Sequence, residues 1–364
     1  MIKLNNYNNP NVLEINLNNF KHNIEEIKKI TNNKEIMPVI KANAYGTHIN
    51  TCLDVLNLFN IVAVANTLEG INLRNLGFKK DIFILNQPLT SDIPYIVKYN
   101  LIPGVSSTLF VNELKKTHEN TRIHLEIGSG MGRTGINPFK VTEFVNNILD
   151  AKNITIEGIY THLSSADSDL QYTENQLKNF DIAKNTLLSM VPSIKYIHAG
   201  ASNGIINFSN SHYNLVRPGI ILYGYPSSID TLTKINLKPI CTLKSVISFI
   251  KTVPKNTSIG YNRSFITKKE TVIATIPIGY EDGIKRSLGN KGYVVINGKK
   301  APIIGNICMD SFMVDVSDIE CKINDTVYIW DNNLIKLEDI ASICNTINYE
   351  ILVGIGNRVL RKFI

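Results

Sequence analysis

Short runs rich in β-branched residues recur along the first two thirds of the chain: Ile36–Ile40, Ile61–Ala65, Asp81–Leu85, Leu101–Val105, Arg122–Ile127, Ile156–Tyr160, Tyr196–His198 and Asn214–Val216. Stretches with apolar residues at helical spacing lie between most of them. Thr67–Leu76 opens with a threonine cap and stops at Gly77, Phe139–Lys152 follows Pro138, and Thr173–Met190 is the longest. A further helix, Leu17–Thr31, precedes the first run. Eight strands alternating with helices predict an α/β fold, a parallel (β/α)8 TIM barrel. A doubly wound open sheet is the competing fold, but it gathers its ligand at one switch point.

Beyond about Asn236 the pattern changes to strands: Thr242–Thr252, Thr271–Pro277, Gly292–Ile296, Ala301–Ile304, Ser311–Val316 and Thr326–Trp330, with one helix over Lys336–Cys344. Asn297-Gly298 is a turn signal between two of them. The expected organisation is a barrel over residues 1–236 and a mostly β C-terminal domain over 237–364.

Composition narrows the partners. Of 364 residues, 44% are apolar, enough for a large domain and a smaller one. Net charge is +7, but the basic residues are scattered, without the clustered cations and interleaved aromatics of a nucleic-acid face. No apolar run approaches the ~20 residues of a membrane span, and Met1 to Pro10 is polar. No nucleic acid and no membrane are therefore expected as partners, and the cytosol is the expected location. The five cysteines form no C-x-x-C pair and have no histidine at zinc-ligand spacing, so no metal is expected. Cys52, Cys241, Cys321 and Cys344 read as reduced, mostly buried thiols.

Candidate chemistry collects at strand ends, where barrels of this type carry their working residues. The first run ends in Lys41-Ala42-Asn43-Ala44-Tyr45-Gly46, and the fifth leads to Gly130-Met131-Gly132-Arg133-Thr134-Gly135. The sixth enters Thr161-His162, the seventh reaches Ser202, and the eighth ends in Arg217-Pro218-Gly219. Taken singly, Lys41 reads as a solvated lysine, His162 as a capped histidine and each glycine as a turn residue. Taken together they point to one mouth. A lysine there is short of water, which lowers its pKa and suits Schiff-base chemistry. Ser202 and Gly219 fall where barrels build phosphate sites. A distribution over many strand ends favours the closed barrel over the open sheet.

These residues resemble the alanine racemase family, fold-type III enzymes of pyridoxal 5'-phosphate (PLP). The resemblance rests on Val39-Ile-Lys-Ala-Asn-Ala-Tyr-Gly46, Gly130-Met-Gly-Arg-Thr-Gly135, Arg217-Pro-Gly-Ile-Ile-Leu-Tyr-Gly224, Ile276-Pro-Ile-Gly-Tyr-Glu-Asp-Gly283 and Gly305-Asn-Ile-Cys-Met-Asp310, in family order and spacing. It implies racemisation of L- and D-alanine by two bases, supplying D-alanine for bacterial peptidoglycan. Lys41 carries PLP as a Schiff base and serves one face of the substrate carbon. Tyr261, in the β domain of a second subunit, serves the other, which implies a homodimer with shared sites. Tyr45, Ser202, Gly219 and Ile220 hold the phosphate. Arg217 faces the pyridine nitrogen, and His162 links Arg217 to Tyr261, relaying positive charge that favours the ionised tyrosine. Arg133 and the backbone at Met309 bind the substrate carboxylate, Cys308 and Asp310 line the site, and Tyr280 narrows its entrance.

The chain departs from the family pattern in three places. Glu126 stands where the family has a lysine, often carbamylated, with Gly128 two residues on in place of an aspartate. Asn357 replaces a phosphate-binding tyrosine, and its amide is expected to substitute. The segment after Tyr45 is Gly46-Thr47-His48 instead of Gly-His-Gly. Competing functions are a broad-specificity or serine-preferring racemase, a PLP decarboxylase on a related barrel, and a non-enzymatic PLP-binding homeostasis protein. The Tyr261 segment and the β domain argue against the last two.

Overall fold

The computed structural model describes residues 9–48, 53–226 and 234–364. Cys52 and residues 1–8 lie outside them. The chain divides into two units, residues 20–238 and residues 1–19 with 239–364.

In the first unit, six parallel strands run in chain order: Ile61–Val64, Asp81–Ile84, Ile102–Val105, Thr121–Ile127, Ile154–Thr161 and Tyr196–His198. Glu35–Ile36 and Leu215–Val216 pair with each other in parallel. Single bridges, Val39 to Ala63 and Ala201 to Arg217, join that pair to both edges of the six. The first and eighth strands are shorter than the sequence pattern implied, because the chain leaves regular pairing to deliver residues to the mouth.

Alternation along Thr121–Ile127 separates two sets of neighbours. Ile123, Leu125 and Ile127 are buried aliphatics, while Arg122, His124 and Glu126 meet polar side chains: Asp81, His198 and Arg133. Arg122 is paired bidentately with Asp81, at 2.7 and 2.8 Å.

Flanking helices begin on side-chain caps. Asn66 caps Thr67–Asn75 by accepting from the Glu69 amide, so the cap is not Thr67 as the sequence suggested. Ser107 and Asp169 do the same for Thr108–Lys115 and Leu170–Met190. The expected Phe139–Lys152 helix is only a 3-10 turn at Pro138–Lys140 and a short helix Val141–Asn146. It ends in an Asn146-Asn147 pair, where helix propensity is low.

The second unit is a nine-stranded sheet among the described residues. Its order is Phe249–Val253, Thr271–Ile276, Phe312–Asp315, Lys299–Ile304, Tyr293–Ile296, Thr326–Trp330, Cys241–Val246, Val12–Ile15 and Leu360–Phe363. Val12–Ile15, assigned from the sequence to the barrel domain, sits here between Cys241–Val246 and Leu360–Phe363. Its inward residues Leu13 and Ile15 are fully buried. The single strand expected over Thr242–Thr252 is two. At Ile247 and Ser248 the backbone switches its bonds from Asp325 to Thr275 and so changes partners. Val253, Ile259, Ile273 and Ile304 form a buried cluster under Phe265 and Met313.

Cys241 is buried, but Cys321 and Cys344 are only half-buried, against the expectation of mostly buried thiols. No helix among the described residues is long and apolar enough to cross a membrane.

Candidate active site

Lys41 opens a turn unlike the rest of the barrel. Ala42, Asn43, Ala44 and Tyr45 have φ between 52° and 55°, one turn of left-handed helix built from residues with side chains. Ala44 donates to Ile40 O and Gly46 to Ala42 O, each at 2.9 Å. The turn carries Tyr45 inward, where its ring packs on Tyr223 with centroids 4.6 Å apart. Lys41 itself is open to solvent at the mouth. Protein on the surrounding sides withholds enough water to push its ammonium below the usual lysine range, Arg133 adds to this, and Glu69 opposes it.

Tyr45, Ser202, Gly219 and Ile220 come together, and all four are buried. The Gly219 amide donates to Ser202 Oγ at 3.1 Å. A Cβ added at Gly219 would lie 2.3 Å from Tyr45 Oη and 3.7 Å from Ser202 Oγ. Only glycine leaves room beside those two hydroxyls. Two hydroxyl donors around a space that a single methyl group would fill suit a phosphate.

Arg217 is 1% exposed. Its guanidinium donates to the carbonyls of His198, Thr161 and Ala199 at 2.9, 2.7 and 3.2 Å, and to His198 Nδ1 at 2.9 Å. Burial lowers its pKa to about 10, so it remains charged at neutral pH. His198 Nε2 meets His124 Nδ1 at 2.9 Å. Because Arg217 can only donate, His198 accepts at Nδ1 and donates from Nε2, and His124 Nδ1 accepts in turn. That leaves the His124 Nε2 hydrogen directed toward Glu157, 3.6 Å away.

The sequence reading linked Arg217 to His162. No hydrogen bond joins these two among the described residues; His198 takes that place. Burial, reinforced by Arg217, Arg133 and Lys41, pushes His162 down to about 3. His162 is therefore neutral at pH 7, and Arg217 makes its imidazole contact with His198 instead. The alternation that turned His124 inward was the available signal for this histidine pair, but it did not name the partner.

Glu126 is buried at the end of its strand and accepts from Thr134 Oγ1 at 2.7 Å. Arg133 Nη2 lies 3.8 Å from its other oxygen, with 43% of the arginine side chain exposed. The loop returns on itself through Ile136 N to Glu126 O and Gly128 N to Ile136 O, at 2.7 and 2.9 Å. Tyr172 on the long helix fixes the loop by donating to Gly130 O at 2.7 Å.

Tyr261, Tyr280, Cys308, Met309, Asp310 and Asn357 belong to the other unit. Tyr261 is 69% exposed, on a turn with Gly260, Asn262 and Arg263 at positive φ. It lines a shallow depression with Gly260, Cys308, Met309, Asp310 and Ser311. Tyr280 and Glu281 donate their amides to Cys308 O and Met309 O, at 3.0 and 3.1 Å. A Cβ at Gly279 would fall 2.2 Å from Met309 O, so this glycine admits the 308–309 backbone. Burial raises the Cys308 thiol pKa. Arg358, which the sequence reading did not single out, binds buried Asp282 twice and reaches Asp310 at 2.7 Å. It ties the segment carrying exposed Asn357 to both loops.

Known proteins resemble the chain over nearly its whole length. The sequence matches the family descriptions "Alanine racemase, N-terminal domain" over residues 15–227 and "Alanine racemase, C-terminal domain" over 240–363. It is 37% identical to the alanine racemase of Halothermothrix orenii, covering 97% of each chain. It is 39% identical to that of Clostridium tetani, covering 96% of this chain and 94% of the other. Among solved structures, the alanine racemase of Clostridium difficile 630 superposes with a TM-score of 0.92 at 33% identity, covering 98% of this chain and 96% of the other. That of Bacillus anthracis with bound L-Ala-P gives 0.92 at 30% over the same shares.

Proposed function

The chain belongs to the alanine racemase family and interconverts L- and D-alanine with PLP, and from that premise we propose that Lys41 and Tyr261 are its two bases. PLP bound at Lys41 supplies an electron sink that acidifies the substrate's α-carbon–hydrogen bond. Lys41 Nζ holds or releases the proton on one face of that carbon, and Tyr261 Oη does so on the other. Tyr45, Ser202, Gly219 and Ile220 hold the cofactor phosphate, with the Asn357 amide as a further donor. Arg217, charged at neutral pH and fixed by three carbonyls and His198, would lie against the pyridine nitrogen and keep a proton off it. His162 contributes as a neutral hydrogen-bonding group. Arg133 and the backbone at Met309 orient the substrate carboxylate; Cys308, Asp310 and Tyr280 shape the entrance.

The working assembly in this reading is a homodimer, with Tyr261 of one chain completing the site of the other. The large exposure of Tyr261 on a loop of the second unit supports it. The enzyme acts in the cytosol, and its D-alanine serves peptidoglycan synthesis.

The observation that carries the reading is the meeting of Tyr45 Oη, Ser202 Oγ and Gly219 at the barrel end that also bears Lys41. Borohydride reduction of the purified protein followed by peptide mapping tests it. The pyridoxyl group is expected on Lys41; finding it on another lysine overturns the assignment. Across a panel of L-amino acids, alanine should lose optical purity fastest.

A further inference from the structure

The left-handed turn after Lys41 needs an explanation. Each residue with a Cβ held there costs about 1–2 kcal/mol, and glycine, the usual remedy, is absent from residues 42–45. Such a turn persists only where its surroundings over-determine it. Part of the support is internal: the bonds to Ile40 O and Ala42 O already described, and Thr47 Oγ1 donating to Ala44 O at 2.6 Å.

Further support comes from a different part of the fold. The Ala42 amide, the first after Lys41, donates to Glu69 Oε1 at 2.8 Å. Glu69 Oε2 accepts from the Ala65 amide at 2.7 Å. Glu69 is the third residue of the helix Thr67–Asn75, where a carboxylate ordinarily turns back to the cap residue's own amide. Here it passes over Asn66 and spans from the end of the Ile61–Val64 strand to the lysine turn. Both bonds are charge-assisted, the stronger kind.

We propose that Glu69 is a positioning residue for Lys41: one carboxylate clamps the left-handed turn to the neighbouring strand end and fixes the backbone from which the lysine enters the barrel mouth. The inference rests on Lys41 being the cofactor lysine and adds to that reading the residue that places it. It also makes Glu69 the negative charge that faces Lys41, against Arg133 as the positive one, with His162 neutral beside them. Losing that charge should let the ammonium give up its proton at lower pH.

Two variants separate these effects. Glu69→Gln removes the charge and keeps one acceptor oxygen; Glu69→Ala removes both. Hydrogen exchange of the holoprotein should rise about tenfold in the peptide holding residues 42–46 for Glu69→Ala and less for Glu69→Gln, with Thr121–Ile127 unchanged. In full-length protein freed of PLP, acylation of Lys41 followed against pH should move to lower pH in both variants, about threefold faster near neutrality. A purely structural role does not move that pH profile. Unchanged exchange and an unchanged acylation profile overturn the inference. If borohydride maps wild-type PLP to another lysine, the Lys41 assignment fails instead, and the two failures are told apart.

Discussion

The residues assigned to the two sides of the chemistry are held very differently. In the barrel unit, Arg217 is 1% exposed with four bonds, Ser202 and Tyr45 are buried against Gly219, and Glu126 is buried under Thr134. In the β unit, Tyr261 is 69% exposed on a turn anchored through its backbone, where Asn306 donates to Tyr261 O at 2.9 Å. Met309 is 51% exposed beside it. A group that must hold a cofactor benefits from rotamers locked by packing. A group that must be inserted into another chain's site has to project from its own surface. Under the proposed reading the contrast is a division of labour: the barrel holds, the β unit presents.

The sharpest way to break this comparison is to separate the bases genetically. Lys41→Ala and Tyr261→Ala should each abolish racemisation. After subunit exchange, an equal mixture should recover roughly a quarter of wild-type activity, since half the dimers are mixed and each mixed dimer holds one intact site of two. No recovery would mean both bases act from one chain, and the β unit does not present Tyr261 to a partner.

A smaller effect sharpens the holding side. Gly219→Ala places a methyl group 2.3 Å from Tyr45 Oη. PLP affinity, measured by spectrophotometric titration, should weaken about 30-fold, equivalent to ~2 kcal/mol. Asn357→Ala, on the exposed side, should weaken it only about threefold. Wild-type affinity in Gly219→Ala would remove the phosphate cradle from the account.

The two units should also respond differently to acid. All seven histidines lie between His22 and His212, within the barrel unit. Burial lowers His124, His198 and His162, the last to about 3. Below pH ~6.5 the unfolded chain takes up protons that these folded imidazoles refuse, so stability is present above that pH and lost as pH falls through it. For His162 the loss approaches ~1.4 kcal/mol per pH unit. The carboxylates whose folded pKa is lowered, such as Asp81 beside Arg122, add their own loss only nearer pH 4. The thermal midpoint should fall between pH 7 and 5.5; a flat profile there contradicts neutral buried histidines.

Much of the holding side was legible in the sequence, and the reason is periodicity. The run Arg122–Ile127 alternates aliphatic and polar residues, which puts His124 and Glu126 on the face opposite Ile123, Leu125 and Ile127. Position at a strand end then drew attention to Lys41, Ser202 and Arg217. What escaped depends on contacts that no local pattern encodes. Val12–Ile15 is four residues long, and one of its partners is Leu360–Phe363 at the other end of the chain. The left-handed turn at 42–45 carries no glycine to announce it. The break at Ile247 and Ser248 sits inside an unbroken β-type run, because only the choice of partner changes there. His198 and His162 both end barrel strands, and only three-dimensional packing decided which one Arg217 binds.

The smallest predicted effect concerns the link between the buried and exposed sides of the barrel mouth, Glu126 and Arg133. A fully buried ion pair would be worth several kcal/mol when broken. The geometry argues for less. The closest approach is 3.8 Å and Arg133 is 43% exposed, so solvent screens the pair. The short bond at Glu126 is the one from Thr134, at 2.7 Å, and a glutamine oxygen can still accept it. Glu126→Gln should therefore cost about 1 kcal/mol of stability. Its larger consequence should be in KM for alanine, about threefold higher, because Arg133 loses the charge that aims it, while kcat changes little. The family's usual group at this position is a lysine whose negative charge depends on carbon dioxide; a glutamate carries its charge without it. Wild-type activity should accordingly be the same in bicarbonate-depleted buffer. If Glu126→Gln keeps the wild-type KM, Glu126 does not orient Arg133, and the arginine belongs with the presenting groups of the molecule instead of the held ones.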